Sequence, residues 1–447
     1  MNAAPSLQPR LLRGVVLSFR ADPHDVPARD AYVFYRKGAV ALDGAGRIAW
    51  AGEAAELPPA HRALPVDDFG DKLILPGFID AHIHFPQYRM LAAPGADLLE
   101  WLNRFTFAEE ARYGDAAHAA AAAEIFLDRL FSHGTTTAAA YCSVHAVSAE
   151  ALFAAAEKRS MALITGKTLM DRNAPDAVRD DAASGTRDSE SLIKKWHNRG
   201  RLRYAVTPRF AITSTEAQLQ AAGDLYRSHA GVYMQTHLSE SAGEMEMVKS
   251  LFPGARDYTD VYDRFGLLGR RSLFGHGIHL SERECSRLSE SGSVVVHCPT
   301  SNTFLGSGLF DIDHLRNARR PVRVAVASDV GGGLSYSMLA TMGEAHKVAQ
   351  LKGRSLPALD AFNLATRGNA QALELDKEIG SLEPGFWADI VVLDPQATPV
   401  LASRQDLSES LEDMLFALMM LGDDRAVAAT YVAGRCVHRR APEKENR

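Results

Sequence analysis

The sequence predicts an α/β fold: a (β/α)8 TIM-type barrel with a small β domain, a β-sandwich, formed by both chain ends. Three observations carry this expectation. Eight strand-like apolar runs alternate with Ala- and Glu-rich helical stretches over roughly 300 residues, the rhythm of parallel βα units. Short strand-like segments stand at both ends of the chain, and neither end has enough apolar faces for a core of its own. With 447 residues the chain is also too long for one ordinary core. The expected division is 1–75 plus 377–447 for the composite small domain and 76–376 for the barrel.

Taken in order, residues 14–19, 31–35 and 47–50 read as short strands, with Asp43-Gly44 as a hairpin signal between the last two. Residues 388–393 and 427–434 have the same texture at the far end. The barrel strands are expected at 74–84, 134–141, 162–169, 202–210, 232–237, 272–277, 293–298 and 322–329. Helical stretches at 115–132, 148–159, 214–229, 242–251 and 282–290 separate most of them, and Thr213-Ser214 and Ser281-Glu282 supply N-cap chemistry. Residues 171–201 show no apolar periodicity and are rich in Asp, Ser and Arg, so they read as a long loop over the barrel mouth, either a plain insertion or a lid.

Composition narrows the function. A net charge of −6 offers no basic stripe for a phosphate backbone, so nucleic acid is not the expected partner. No apolar run is long enough to span a bilayer, so no membrane partner is expected, and Met1-Asn2-Ala3-Ala4-Pro5 leads into no signal-like segment. Cys142, Cys285, Cys298 and Cys436 lack paired spacing and fit a reducing cytoplasm.

The chemistry gathers at the C-terminal ends of the strands, where barrel enzymes keep it. The first strand ends in His82-Ile83-His84, whose alternation puts both imidazoles on one face. The fifth ends in His237-Leu238-Ser239-Glu240, the sixth in His276, and the eighth in Ser328-Asp329. Four histidines and an aspartate at one mouth make a donor set suited to Zn²⁺ or Fe²⁺. Glu240 could also be a helix-start residue, Arg209 a surface ion-pair partner and Phe210 ordinary core; His279 and His297 read as supporting residues rather than ligands.

Pro76-Gly77-Phe78-Ile79-Asp80-Ala81-His82-Ile83-His84 resembles the opening motif of the amidohydrolase superfamily of metal-dependent barrels. Gln235-Thr236-His237-Leu238-Ser239-Glu240, Gly275-His276-Gly277, His297-Cys298-Pro299-Thr300-Ser301-Asn302 and Ser328-Asp329-Val330-Gly331-Gly332-Gly333 continue the likeness, and residues 380–389 resemble its return to the small β domain. Within the superfamily the chain is most similar to the guanine deaminases, through His84-Phe85-Pro86-Gln87, Thr207-Pro208-Arg209-Phe210 and Ser335-Tyr336-Ser337-Met338. The resemblance implies one metal on His82, His84, His237 and Asp329, and a small-molecule purine substrate. It implies Asp329, Glu240 and His276 as the catalytic groups, and hydrolysis of guanine to xanthine and ammonia. Gln87 and Arg209 are expected to read the purine edge and Phe210 to stack on the ring. A homodimer is the expected assembly. Relatives that bridge two metals do so with a lysine on the fourth strand, whereas Lys167 falls on the third, so a single ion is expected.

Rival classes lack their parts. The other zinc deaminase fold needs His-x-Glu with Pro-Cys-x-x-Cys, and no histidine here has Glu two residues later. Neither a Walker A stretch nor a G-x-G-x-x-G fingerprint is present. An inactive scaffold would be expected to have lost a ligand, and all four stand. The nearer alternative is a sister aminohydrolase acting on an 8-oxopurine, an adenosine-type nucleoside or an amino-triazine.

Overall fold

In a computed structural model that describes residues 7–95 and 97–441, the chain opens with β1 (Arg10–Phe19), β2 (Tyr32–Leu42), β3 (Ile48–Glu53) and β4 (Val66–Pro76). The N-terminal segment at residues 1–5 lies outside the described residues. Asp43 makes the expected hairpin: its carboxylate accepts from the backbone N–H of Ala45 at 2.9 Å and of Arg47 at 2.8 Å, turning β2 into β3.

The barrel follows as β5 (Phe78–His84), β6 (Thr135–Tyr141), β7 (Ala162–Gly166), β8 (Thr168–Leu169), β9 (Leu202–Pro208), β10 (Tyr233–Leu238), β11 (Ser272–His276), β12 (Val294–His297) and β13 (Arg323–Val326). Both β7 and β8 pair with β9, so together they form the third of the eight barrel positions, interrupted at Lys167. Every pairing from β5 round to β13 is parallel. The ring closes through backbone bonds from Asp329 N–H to the His82 carbonyl at 3.0 Å and from His84 N–H to the Val330 carbonyl at 2.7 Å.

The chain ends in β14 (Ile390–Leu393), β15 (Val427–Val432) and β16 (Arg435–Arg439). With β1 to β4 they form one seven-stranded sheet in the order β16-β15-β14-β4-β1-β2-β3. Ile48 near one edge and Tyr431 near the other share one buried cluster, so the sheet curls over a core of its own. The run expected as a single strand at 74–84 is divided at Gly77. Pro76 ends β4 of this sheet and Phe78 begins β5 of the barrel, with Gly77 N–H bonded to the Asp389 carbonyl at 2.8 Å.

Two local expectations are corrected. The N-cap of the helix Glu216–Ser228 is Thr215, whose side chain accepts from Gln218 N–H, rather than Thr213 or Ser214. Residues 171–201 are not an irregular loop over the mouth: Ala182–Trp196 is a helix with an Asp181/Ser184 capping box, and none of these residues lines the cavity described below. Its buried face runs through Gly185, Ser189, Leu192, Ile193 and Trp196 at helical spacing, a face whose apolar residues are confined to the C-terminal half of a polar stretch.

Candidate active site

The strand β5 delivers His82 and His84 by way of an irregularity. Ile79 and Ala81 lie in the cluster that fills the barrel interior, whereas Ile83 packs outward with the helices. The β5–β6 register shifts between Asp80 and Ile83, and this shift re-aims the strand end so that both histidines face inward. Beneath them the buried Asp80 carboxylate accepts from Ser328 N–H at 3.1 Å, Ser328 Oγ–H at 2.5 Å and His82 N–H at 3.3 Å, which ties β5 to the segment carrying Asp329. Burial pushes Asp80 up to about 6 against the pull of these bonds. Gly275 on β11 makes room for the His82 ring, since a Cβ there would lie 2.6 Å from Cε1.

Four side chains converge. His82 Nε2 and His84 Nε2 each lie 3.3 Å from Asp329 Oδ1, and His237 Nε2 lies 3.2 Å from His84 Nε2. His237 Nδ1 is held by the Arg209 carbonyl at 2.7 Å, which leaves Nε2 free to face the others. Burial lowers His84 to about 4 and holds His237 well below the usual imidazole range, so both stay neutral. Burial acts to raise Asp329, but the neighbouring imidazoles outweigh it and hold the carboxyl well below the usual range. Ligands about 2.05 Å from a tetrahedral ion sit about 3.3 Å from one another. The spacings here match that figure, and His82 Nε2 is buried without a hydrogen-bond partner among the described residues. Two neutral imidazoles, an orphaned third nitrogen and a carboxylate therefore fit a dication. Cys298 stands close to His82, His276 and Asp329, but burial keeps its thiol protonated.

Beside this centre, His276 Nε2 lies 3.4 Å from Glu240 Oε2 and 3.8 Å from Asp329 Oδ2, and its Nδ1 is fixed by Asn302 Oδ1 at 2.8 Å. Ser307 Oγ–H donates to Glu240 Oε1 at 3.2 Å, and His279 Nε2 meets the Ser307 carbonyl at 2.9 Å. Burial and the Asp329 charge push Glu240 up to about 8; a dication in the site would act the other way. Ser239, His276 and Asp329 all hold positive φ, of 49°, 70° and 50°, so the turns that end these strands are strained where the chemistry gathers.

A cavity opens beside these groups, lined by His84, His237, His276, Glu240 and Asp329 and by Gln87, Arg209 and Phe210. Phe210 offers its ring 6.4 Å from that of His237. Lys167 is buried away from this lining and pairs with Asp180, and His297 stacks on Phe310 at 4.2 Å. Two features escaped the sequence. Leu98, Trp101 and Leu102, from the excursion after β5, cover the mouth in place of residues 171–201. Glu110, fully buried, accepts from Gln87 Nε2 at 2.9 Å and from Arg209 Nη1 at 2.8 Å on each oxygen.

Comparison with known proteins agrees with this arrangement. The model of the Amidohydrolase family matches residues 73–437. Guanine deaminase of Escherichia coli K12 is 46% identical over 399 residues, covering 88% of this chain and 90% of that protein. The crystal structure of guanine deaminase from Bradyrhizobium japonicum superposes with a TM-score of 0.93 at 36% identity, covering 97% of this chain and all of that one. That of the C. acetobutylicum guanine deaminase with bound guanine gives 0.85 at 28% identity, covering 96% of this chain and all of that one. The chain belongs to the amidohydrolase family and, within it, to the guanine deaminases.

Proposed function

We infer that the protein is a zinc-dependent aminohydrolase that converts guanine and water to xanthine and ammonia. The observation that carries the reading is the convergence of His82, His84, His237 and Asp329 at the spacing of one ion's ligands, in a chain of this family. These four would hold Zn²⁺, with Fe²⁺ as the other ion the donors suit. When bound, such an ion lowers the pKa of water from 15.7 to about 7 and so supplies a nucleophile at neutral pH.

The rest belongs to the chain's own residues. Asp329 takes a proton from the water as its oxygen attacks guanine C2. His276, anchored through Asn302, faces the attacking oxygen with Nε2. Glu240, protonated at the outset, passes a proton to the ring nitrogen, takes up the proton of the new C2 hydroxyl as the carbonyl forms, and gives it to the departing ammonia; the proton held by Asp329 then restores Glu240, so that water's elements are divided between the two products. Nothing but Glu110 accepts from the Arg209 side chain among the described residues, which leaves Nε and Nη2 to donate to the guanine carbonyl. Gln87 has one amide N–H remaining after Glu110 takes the other, while its Oε1 accepts from Gly331 N–H at 3.2 Å. Phe210 presents a face for stacking.

We place the protein in the cytoplasm on its four free cysteines. Among the described residues, no helix is long and apolar enough to cross a membrane. Ammonia release over a panel of guanine, 8-oxoguanine, adenine, cytosine and S-adenosylhomocysteine tests the activity. Guanine should be turned over fastest; a faster reaction with any other member overturns the substrate.

A further inference from the structure

Glu110 joins two residues that the substrate would touch, yet it lines no part of the cavity itself. It sits in the short helix Phe107–Ala111, within the excursion that also covers the mouth, and Phe107 supports the Arg209 guanidinium at 5.7 Å. Its carboxylate and the guanidinium are only 1% and 3% exposed, so each charge meets its opposite in a site largely shut from water. We propose that Glu110 is a specificity-determining positioning residue: it aims Gln87 and Arg209 at the substrate and cancels the charge of Arg209. The site thereby recognises a neutral purine carbonyl and does not attract an anion.

The consequence concerns the product. Xanthine is a stronger acid than guanine and ionises in mildly alkaline solution. A bare guanidinium would hold that anion; a guanidinium already paired with Glu110 releases it. The other titratable groups on the cavity wall are Glu240, Asp329, His84, His237 and His276, and His145 is coupled electrostatically to Glu110 and to the Lys167–Asp180 pair. They are common to wild type and variants, so differences between these proteins at one pH report the pair alone.

This inference rests on the guanine reading, and the two can fail separately. Wild type is first assayed for ammonia release from guanine, and absence of release sinks the deaminase reading. Xanthine binding is then measured by calorimetry at about pH 6 and about pH 9 in metal-loaded wild type, E110Q, E110D and E110Q/R209Q. E110Q should bind xanthine tighter than wild type at the higher pH by about tenfold or more, and with little difference at the lower pH. E110D, which keeps the charge but shortens the arm, should follow the wild-type pH profile while KM for guanine rises about tenfold and kcat stays within a few-fold. E110Q/R209Q removes both charges and should also follow the wild-type profile. It decides the charge question alone if E110Q is not recovered folded. An E110Q profile superimposed on wild type, or a double variant that loses xanthine affinity only at the higher pH, overturns the charge assignment. An unchanged KM in E110D overturns the positioning role.

Discussion

His237 meets the centre with Nδ1 already bound to the Arg209 carbonyl, so its loss would remove a proposed ligand whose direction the backbone fixes. His237→Ala should give a folded protein that has lost both metal and turnover, read by elemental analysis and ammonia release; retention of both would displace His237 from the ligand set. Glu240→Gln keeps size and hydrogen bonding but not the proton, and should lower kcat by about two to four orders of magnitude with metal content intact. Near-normal turnover would reduce Glu240 to a structural residue. Arg209→Leu should cut kcat/KM for guanine by about 10⁴, because the carbonyl loses its donor. It should also cost about 3–5 kcal/mol of stability by denaturant titration, since Glu110 is left buried and unpaired. A variant as stable as wild type would contradict that pairing. The histidines and Asp329 were legible because strand-end motifs carry them. Glu110 was not, since the second carboxylate of Glu109-Glu110 in an Ala-rich stretch looks solvated, and its partners stand 23 and 99 residues away.

At the scale of elements, alternation of apolar runs with amphipathic stretches located all eight barrel strands, since parallel strands buried on both faces leave continuous apolar runs. It missed the helix Ala182–Trp196, whose buried side includes Gly185 and Ser189, and so left an ordinary βα segment open between a plain insertion and a lid. Asp181→Ala should therefore destabilise the fold by about 0.5–2 kcal/mol through loss of the cap, while kcat and KM for guanine stay at wild-type values. A marked change in KM would restore that segment to the mouth. The register shift in β5 was likewise invisible in the sequence, because a bulge reflects how two strands pair rather than what either one contains. Gly275→Ala probes its packing: the added methyl would press on His82, costing about 1–3 kcal/mol and weakening metal retention against a chelator. Unaltered retention would show that His82 has room to move.

For the whole molecule, the barrel's N-terminal end and the seven-stranded sheet are locked by a buried pair, Arg201 with Asp389, which are 8% and 3% exposed. Asp389 also accepts from Ala433 N–H at 2.8 Å, and its carbonyl from Gly77 N–H, so one residue fastens the hinge between β4 and β5 to the returning chain end. This arrangement explains why both ends of the chain were readable as one small β domain: neither could bury its strands without the other. The sheet and barrel together serve one proposed arrangement, a dication on four strand-end ligands and a donor-only guanidinium that make a site for guanine. The most direct test is competition between guanine and adenine for metal-loaded protein, following xanthine, hypoxanthine and ammonia together. Xanthine with equimolar ammonia is expected, abolished by chelation and restored by the metal, with negligible hypoxanthine, because Arg209 would face adenine's amine with another donor. Preference for adenine, or full turnover after the metal is removed, would contradict it.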